Sequence, residues 1–197
     1  IGNSAFYEVP LISAQIGTGV SSIGDHAFYN TPMSELVLSE GLKTIGTYAF
    51  YSSELLSVHF PESLESIGNY AFSNNFLVEI VFDNSPVVIG TSAFRDNRLS
   101  ELDLPDSVVS LGNSAFQSNP MTDLNLGNGL TSIGTAVFSG TDLTSLVIPD
   151  SVISIGNNAF YNLPLQQLTL GSGVETIGNH AFYSSNLTSV EIPDNVQ

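Results

Sequence analysis

Ile155-Gly156-Asn157-Asn158-Ala159-Phe160 is one of nine copies of a single phrase. Ile-Gly-x-x-Ala-Phe starts at Ile1, Ile23, Ile45, Ile67, Ile89, Leu111, Ile133, Ile155 and Ile177, always 22 residues apart. Two positions depart from it: Leu111 replaces Ile and Val137 replaces Ala. A fixed period of this length specifies a solenoid, in which each repeat forms one coil and buries its apolar face only against its neighbours. Residues 1–197 are therefore expected to form one continuous domain of nine coils.

Working outward from the phrase, the coil Leu99 to Pro120 has three sides. Leu99 to Leu104 ends in apolar–polar alternation, the period of a half-buried strand. Pro105-Asp106-Ser107 is turn chemistry, since proline presets φ and Asp and Ser bond nearby amides. Val108 to Leu111 is a second short extended piece. Gly112 serves either a positive φ or a close backbone approach. Ala115-Phe116 opens a third side of about six residues, expected to be irregular or 3₁₀. No segment has room for the three turns of an ordinary α-helix. The fold class is mostly β, with little or no helix.

Stacking superimposes equivalent positions into ladders. The phenylalanines at 6, 28, 50, 72, 94, 116, 138, 160 and 182 form one inward ladder. Leu36, Val58, Ile80, Leu102, Leu124, Leu146, Leu168 and Val190 form a second, and Leu38, Phe60, Phe82, Leu104, Leu126, Ile148, Leu170 and Ile192 a third. These are core, not a cofactor box. The coils also fall into two kinds. Those with Pro10, Pro32, Pro120 or Pro164 before the first strand carry Gly19, Gly41, Gly129 or Gly173 in the turn after it. The others carry Ser63, Ser85, Ser107, Ser151 or Asn195 there.

Nineteen acidic residues stand against Lys43, Arg95 and Arg98, for a net charge of −16. Nucleic acid needs a basic surface and is excluded as a partner; anionic membrane surfaces are disfavoured in the same way. The absence of cysteine excludes disulfides and thiolate metal sites. No apolar run reaches the roughly 18 residues that would span a bilayer, so membrane insertion is not expected. The chain opens and stops in mid-repeat without a polar cap, and reads as an excerpt from a longer array.

Ile148-Pro-Asp-Ser-Val-Ile-Ser-Ile-Gly-Asn-Asn-Ala-Phe160 and Leu187-Thr-Ser-Val-Glu-Ile-Pro-Asp194 resemble the BspA-like, or Treponema-type, leucine-rich repeat, over the whole chain. The resemblance implies a right-handed curved solenoid with a parallel sheet on its concave side and a shorter sheet opposite. It also implies a bacterial or protozoan surface protein implicated in adhesion. Two features differ. The period is 22, not the commoner 23. A position often Cys in that family is here Thr31, Ser53, Asn75, Asn97, Asn119, Thr141 and Ser185, with Val9 and Leu163 as exceptions. Small polar groups there are expected to bond turn amides. The family's targets are diverse, so it transfers no binding residues.

A site is sought on the outward residues of the first strands, the concave face. One outward ladder runs Glu35, Ser57, Glu79, Glu101, Asp123, Ser145, Gln167, Ser189; the other includes His59, Asp103 and Asn125. Glu79, Glu101 and Asp123 fall on consecutive rungs with Asp103 beside them. Like charges about 5 Å apart in water repel by roughly 0.8 kcal/mol per pair. The cluster is either a solvated face, or neutralised by a basic or polar partner, or a ligand set for calcium. Calcium takes six to eight oxygens, of which Glu79, Glu101, Asp103 and Asp123 supply some, without a D-x-D-x-D-G loop. Arg95 and Arg98, in the turn before Glu101, are expected to offset part of the charge. The candidate partner-binding residues are Glu79, Glu101, Asp103, Asp123, His59 and Asn125, and no other cofactor is implied.

Tyr7, Tyr29, Tyr51, Tyr161 and Tyr183 follow the core Phe and are expected to cover the solenoid edge. His26 and His180 lie seven coils apart, roughly 34 Å, and share no metal. No nucleophile elbow or phosphate loop is present, and an open sheet gives a carboxylate pair no pocket to raise a pKa. An enzyme is not expected. The expected function is a non-catalytic, extracellular recognition or adhesion module, monomeric in isolation, binding a protein or glycan on another cell or matrix. A structural spacer in a large surface protein is the alternative. An ice- or crystal-binding ladder at Ser22, Thr44, Ser66, Ser110, Ser132, Ser154 and Thr176 is a minor one, interrupted by Val88.

Overall fold

The computed structural model of the chain describes residues 1–84 and 86–197. Its elements are sixteen short strands, in two alternating series. They run β1 (Ser13–Gln15), β2 (Ser22–Ile23), β3 (Glu35–Val37), β4 (Thr44–Ile45), β5 (Ser57–Phe60), β6 (Ser66–Ile67), β7 (Glu79–Phe82) and β8 (Val88–Ile89). They continue β9 (Glu101–Asp103), β10 (Ser110–Leu111), β11 (Asp123–Asn125), β12 (Ser132–Ile133), β13 (Ser145–Val147), β14 (Ser154–Ile155), β15 (Gln167–Thr169) and β16 (Thr176–Ile177). All pairing is parallel with a 22-residue offset, as in Leu124 opposite Leu102. Nine motif copies thus give eight strands in each series, one fewer than the phrase count. Among the described residues there is no helix, and so none long and apolar enough to cross a membrane.

The inward ladders are the core except at the last rung, where Val190 and Ile192 are exposed. Phe28 through Phe160 are buried, and neighbouring rings of the whole ladder lie 5.0–5.7 Å apart with planes within 12° of parallel. Each fully buried ring contributes about 1.5–3 kcal/mol, and stacking adds roughly 0.5–1.5 kcal/mol per pair. Phe6, with one stacking neighbour, is 37% exposed.

Beside the phenylalanines runs a buried polar ladder. Asn97 donates to the carbonyls of Phe72 and Phe94 at 2.9 and 3.1 Å, and its Oδ1 accepts from the Leu77 amide at 3.1 Å. Asn75 and Asn119 repeat the pattern, and Thr31 and Ser53 each reach one carbonyl of the preceding coil. Thr31, Ser53, Asn75, Asn97 and Asn119, at the position often Cys in the family, thus staple coil to coil, whereas Thr141 bonds the Phe138 carbonyl of its own coil. The motif glycines permit a close approach. A Cβ on Gly46 would lie 2.6 Å from the Gly24 carbonyl carbon and 2.7 Å from the Asp25 nitrogen.

The third side is neither irregular nor 3₁₀. Two positions per coil, such as Tyr48 and Ser52, are left-handed, with φ of 55° and 52°. The residues between alternate with them, so that Tyr48, Phe50 and Ser52 donate their amides to Asn69, Ala71 and Ser73 of the next coil at 2.8–3.1 Å. This side is a third hydrogen-bonded array.

The two strand faces are not continuous sheets. The first series divides into four two-stranded pieces, β1–β3, β5–β7, β9–β11 and β13–β15. The seams between them fall where the later strand is followed by Pro61, Pro105 or Pro149, 44 residues apart, and Pro193 holds the same register one pair further on. Across an intact pair this position donates: the Asp83 amide bonds the Phe60 carbonyl at 3.1 Å. Proline has no N–H to give. The same alternation explains two of the turn glycines. A Cβ on Gly129 or Gly173 would collide with the carbonyl oxygen of Asp106 or Asp150 in the Pro-Asp-Ser turn one coil earlier. Ser85 of the opposite kind lies outside the described residues.

The second series breaks once, into five strands (β2 to β10) and three (β12 to β16). The break coincides with the two departures from the motif. Val137 is fully buried, and its Cγ2 lies 3.5 Å from where a Cβ of Gly134 would stand. Among the described residues, the turn bond made in every other coil, as by Ala115 to Gly112, is missing at Val137. So is the ladder bond from Gly134 to Leu111 that Gly112 and Gly156 make to their preceding coils. A β-branched residue in a turn sized for Ala wedges the sixth and seventh coils apart.

Candidate binding surface

Strand alternation places Glu79, Glu101, Asp103 and Asp123 outward, all exposed, while Ile80 and Leu102 between them are buried. Asp123 stands directly opposite Glu101, and Asn125 opposite Asp103. The Asn125 amide donates to Asp103 Oδ1 at 2.7 Å and fixes that carboxylate. Glu79 lies across the seam between β7 and β9. Over that seam is an open groove of about 620 Å³, lined by Glu79, Val81, Phe82, Asn84, Glu101, Asp103, Pro105, Asp123 and Asn125. Five of the six residues expected from the sequence therefore meet in one place. The sixth, His59, does not. Its Nε2 lies 2.8 Å from Asp83 Oδ1, and it lines a separate hollow with Val37 and Glu40 over the seam of β3 and β5.

The arginines do not neutralise the cluster. Arg95 lies 3.1 Å from Asp96 without hydrogen-bond geometry, and the Arg98 guanidinium sits over the Phe76 ring, 4.2 Å from its centroid. Lys43 pairs with Glu65 at 2.9 Å. Among the described residues, none of the four carboxylates has a cationic partner. Nor does any group of three or more acidic or histidine side chains converge closely enough to hold a metal ion.

The groove itself was not legible from the residues, although its cause, a proline every 44 residues, is in the sequence. A second feature was half legible. Tyr7, Tyr29 and Tyr51 stack at 4.9 and 5.2 Å, as their shared register implies. A parallel rank of His26, Tyr48 and Tyr70 stacks beside them at 5.2 and 4.7 Å. The ranks meet edge to face, Tyr48 against Tyr51 at 5.4 Å and 68°. His26, Tyr48 and Tyr70 all have left-handed backbone, φ 55–56°. That conformation costs roughly 1–2 kcal/mol, about what one ring stack returns. Burial pushes the Tyr29 and Tyr48 phenols above their ordinary range, reinforced by neighbouring acids: Tyr7, Tyr51 and Glu8 for Tyr29, Tyr70 and Tyr51 for Tyr48. Tyr161, Tyr183 and His180 form a smaller copy at the far end.

A parallel β-solenoid of leucine-rich coils, with open grooves on its strand face, is the class these features define. The sequence matches the BspA type leucine rich repeat region, a family model of six copies, over residues 1–121 and 109–197. The chain belongs to that family. No curated protein sequence matches it. Among solved structures it is similar to the pneumococcal vaccine antigen PcpA, with 26% identity and a TM-score of 0.68, over 94% of this chain and 52% of that one. It is also similar to a leucine-rich repeat protein from Bacteroides ovatus, with 22% identity and a TM-score of 0.75, over 100% of this chain and 47% of that one. A leucine rich cell surface protein from Faecalibacterium prausnitzii shares 23% identity at a TM-score of 0.54, over 100% and 71% of the two chains. The chain spans about half the length of the first two.

Proposed function

We propose that this chain is a non-catalytic recognition module of a bacterial cell-surface protein, and that it binds a protein partner through the acidic groove between β7 and β9. The observation that carries this reading is the set of carboxylates Glu79, Glu101, Asp103 and Asp123 around an open groove, without a cationic partner among the described residues. Ser57 and Ser145 occupy the same rank on the rungs just before and just after the cluster, so the fold tolerates neutral residues there. Like charges on adjacent rungs are destabilising unless a partner or solvent offsets them. The favoured partner carries a basic surface, drawn to a chain of net charge −16. The words vaccine antigen and cell surface in the names of similar proteins support an extracellular location.

A binding screen of the purified chain on protein and glycan arrays, with oligolysine as a cationic probe, tests this. Glu101→Gln with Asp103→Asn should weaken capture of basic partners, and raised salt should weaken it too, through screening over about 8 Å at physiological ionic strength. Capture that is indifferent to both changes would remove the groove from consideration. No capture on either array would favour a spacer.

A further inference from the structure

The third side of the first three coils carries an aromatic groove that the fold does not require. Its walls are Tyr7, His26, Tyr29, Tyr48 and Tyr51, with Ser4 at one end, around about 570 Å³ of open space. At the left-handed position where His26, Tyr48 and Tyr70 stand, the same chain uses Ser92, Ser114 and Asn158. Small, amide and His side chains suit that conformation, whereas the bulky phenol rings of Tyr48 and Tyr70 are outliers there. At the companion rank the chain uses Ser73 after Tyr51. Six rings are thus gathered on an outer surface where smaller residues hold the same backbone, and Tyr7 remains 43% exposed.

We propose that this groove binds a neutral polysaccharide, laid along the stacking axis with its C–H edges against the rings and its hydroxyls on the phenol and imidazole rows. Charge selects this occupant. No lining residue carries a formal charge at neutral pH with His neutral, and Glu8, near Tyr29, is a single carboxylate at its border, so a basic segment finds far less here than at the acidic groove with its four. An anionic glycan or nucleic acid meets a chain of net charge −16. Period selects a polymer. The ring rows repeat once per coil at 4.7–5.2 Å, offering the same contact in successive coils to a ligand that repeats. Stacking covers the ring faces within each row, so the groove offers ring edges and a line of hydrogen-bonding tips, which suit the C–H edges and hydroxyls of a sugar. The groove lies on a different side of the coil from the acidic one, so the two sites stand or fall separately.

Affinity electrophoresis tests it, with xylan, laminarin or hydroxyethylcellulose in separate gels, and heparin and polylysine as charged controls. The parent chain should be retarded by at least one neutral polymer, equally at low and high salt. Tyr29→Ser with Tyr48→Ser installs residues that the chain already uses at equivalent positions, and should weaken retardation at least about tenfold. Tyr48→Phe keeps the ring and removes one hydroxyl, and should weaken it less. Glu101→Gln with Asp103→Asn should leave it unchanged. No retardation by any neutral polymer overturns the proposal, as does retardation by polylysine or heparin alone. Parent-like retardation of both tyrosine variants also overturns it.

Discussion

The side-chain amide of Asn97 donates to the carbonyl oxygen of Phe72, 2.9 Å away and one coil earlier, while its Oδ1 accepts from Leu77. One buried side chain thereby satisfies backbone groups on both sides of a turn. Asn97→Ala should orphan them at about 1–3 kcal/mol per unpaired group. Asn97→Thr should cost less, because Thr31 at the same rank still reaches the Phe6 carbonyl at 3.1 Å. Urea denaturation of the two variants checks the order.

Phe94 stacks on Phe72 and Phe116 and meets the edges of Phe60 and Phe82. Phe94→Ala should cost about 3–5 kcal/mol. Phe6→Ala should cost distinctly less, since Phe6 is partly exposed with a single stacking partner. Equal losses would contradict stability built from nearest-neighbour contacts.

Pro105→Ala should give the end of β9 the amide donor it lacks toward the Phe82 carbonyl and draw β7 and β9 together. Hydrogen exchange by NMR reads this directly. The amide introduced by the substitution should be protected, and so should its ladder neighbours. A freely exchanging amide would mean that the seam has another cause.

The phenols of Tyr29 and Tyr48 are held above the ordinary value. The folded chain therefore keeps these protons where the unfolded chain loses them. Their contribution to stability is complete below the unfolded tyrosine pKa of about 10 and is lost as pH rises past it. The thermal midpoint should fall in that alkaline range, and fall less steeply in Tyr29→Phe with Tyr48→Phe. Identical alkaline slopes would contradict the assignment.

Much of this molecule is written in its period. The Phe ladder, the alternating first strands and the Asn staples follow from residues 22 apart, because stacking turns sequence register into contact. The acidic cluster was legible for the same reason: Asp123 faces Glu101 because both are outward on adjacent rungs. What escaped had two physical sources. Pro105 looks like an ordinary turn residue until its missing amide is seen to belong to a ladder. The rank of His26, Tyr48 and Tyr70 looks like scattered residues until the left-handed backbone turns all three outward beside Tyr29 and Tyr51. His59 faces the expected side, but its bond to Asp83 fixes it one seam away from the carboxylates.

Val137 has a mechanical consequence. Between the sixth and seventh coils neither strand face is laddered, because Pro149 removes one ladder and the wedge at Val137 the other. The bonds left across that junction include those of the third side, such as Phe116 to the Val137 carbonyl and Ser118 to Ser139, each at 3.0 Å. A rod pulled along its axis parts where the fewest bonds span its cross-section. Tension applied to this chain would first extend it there, and residues 1–132 would stay wound as residues 133–197 were drawn away.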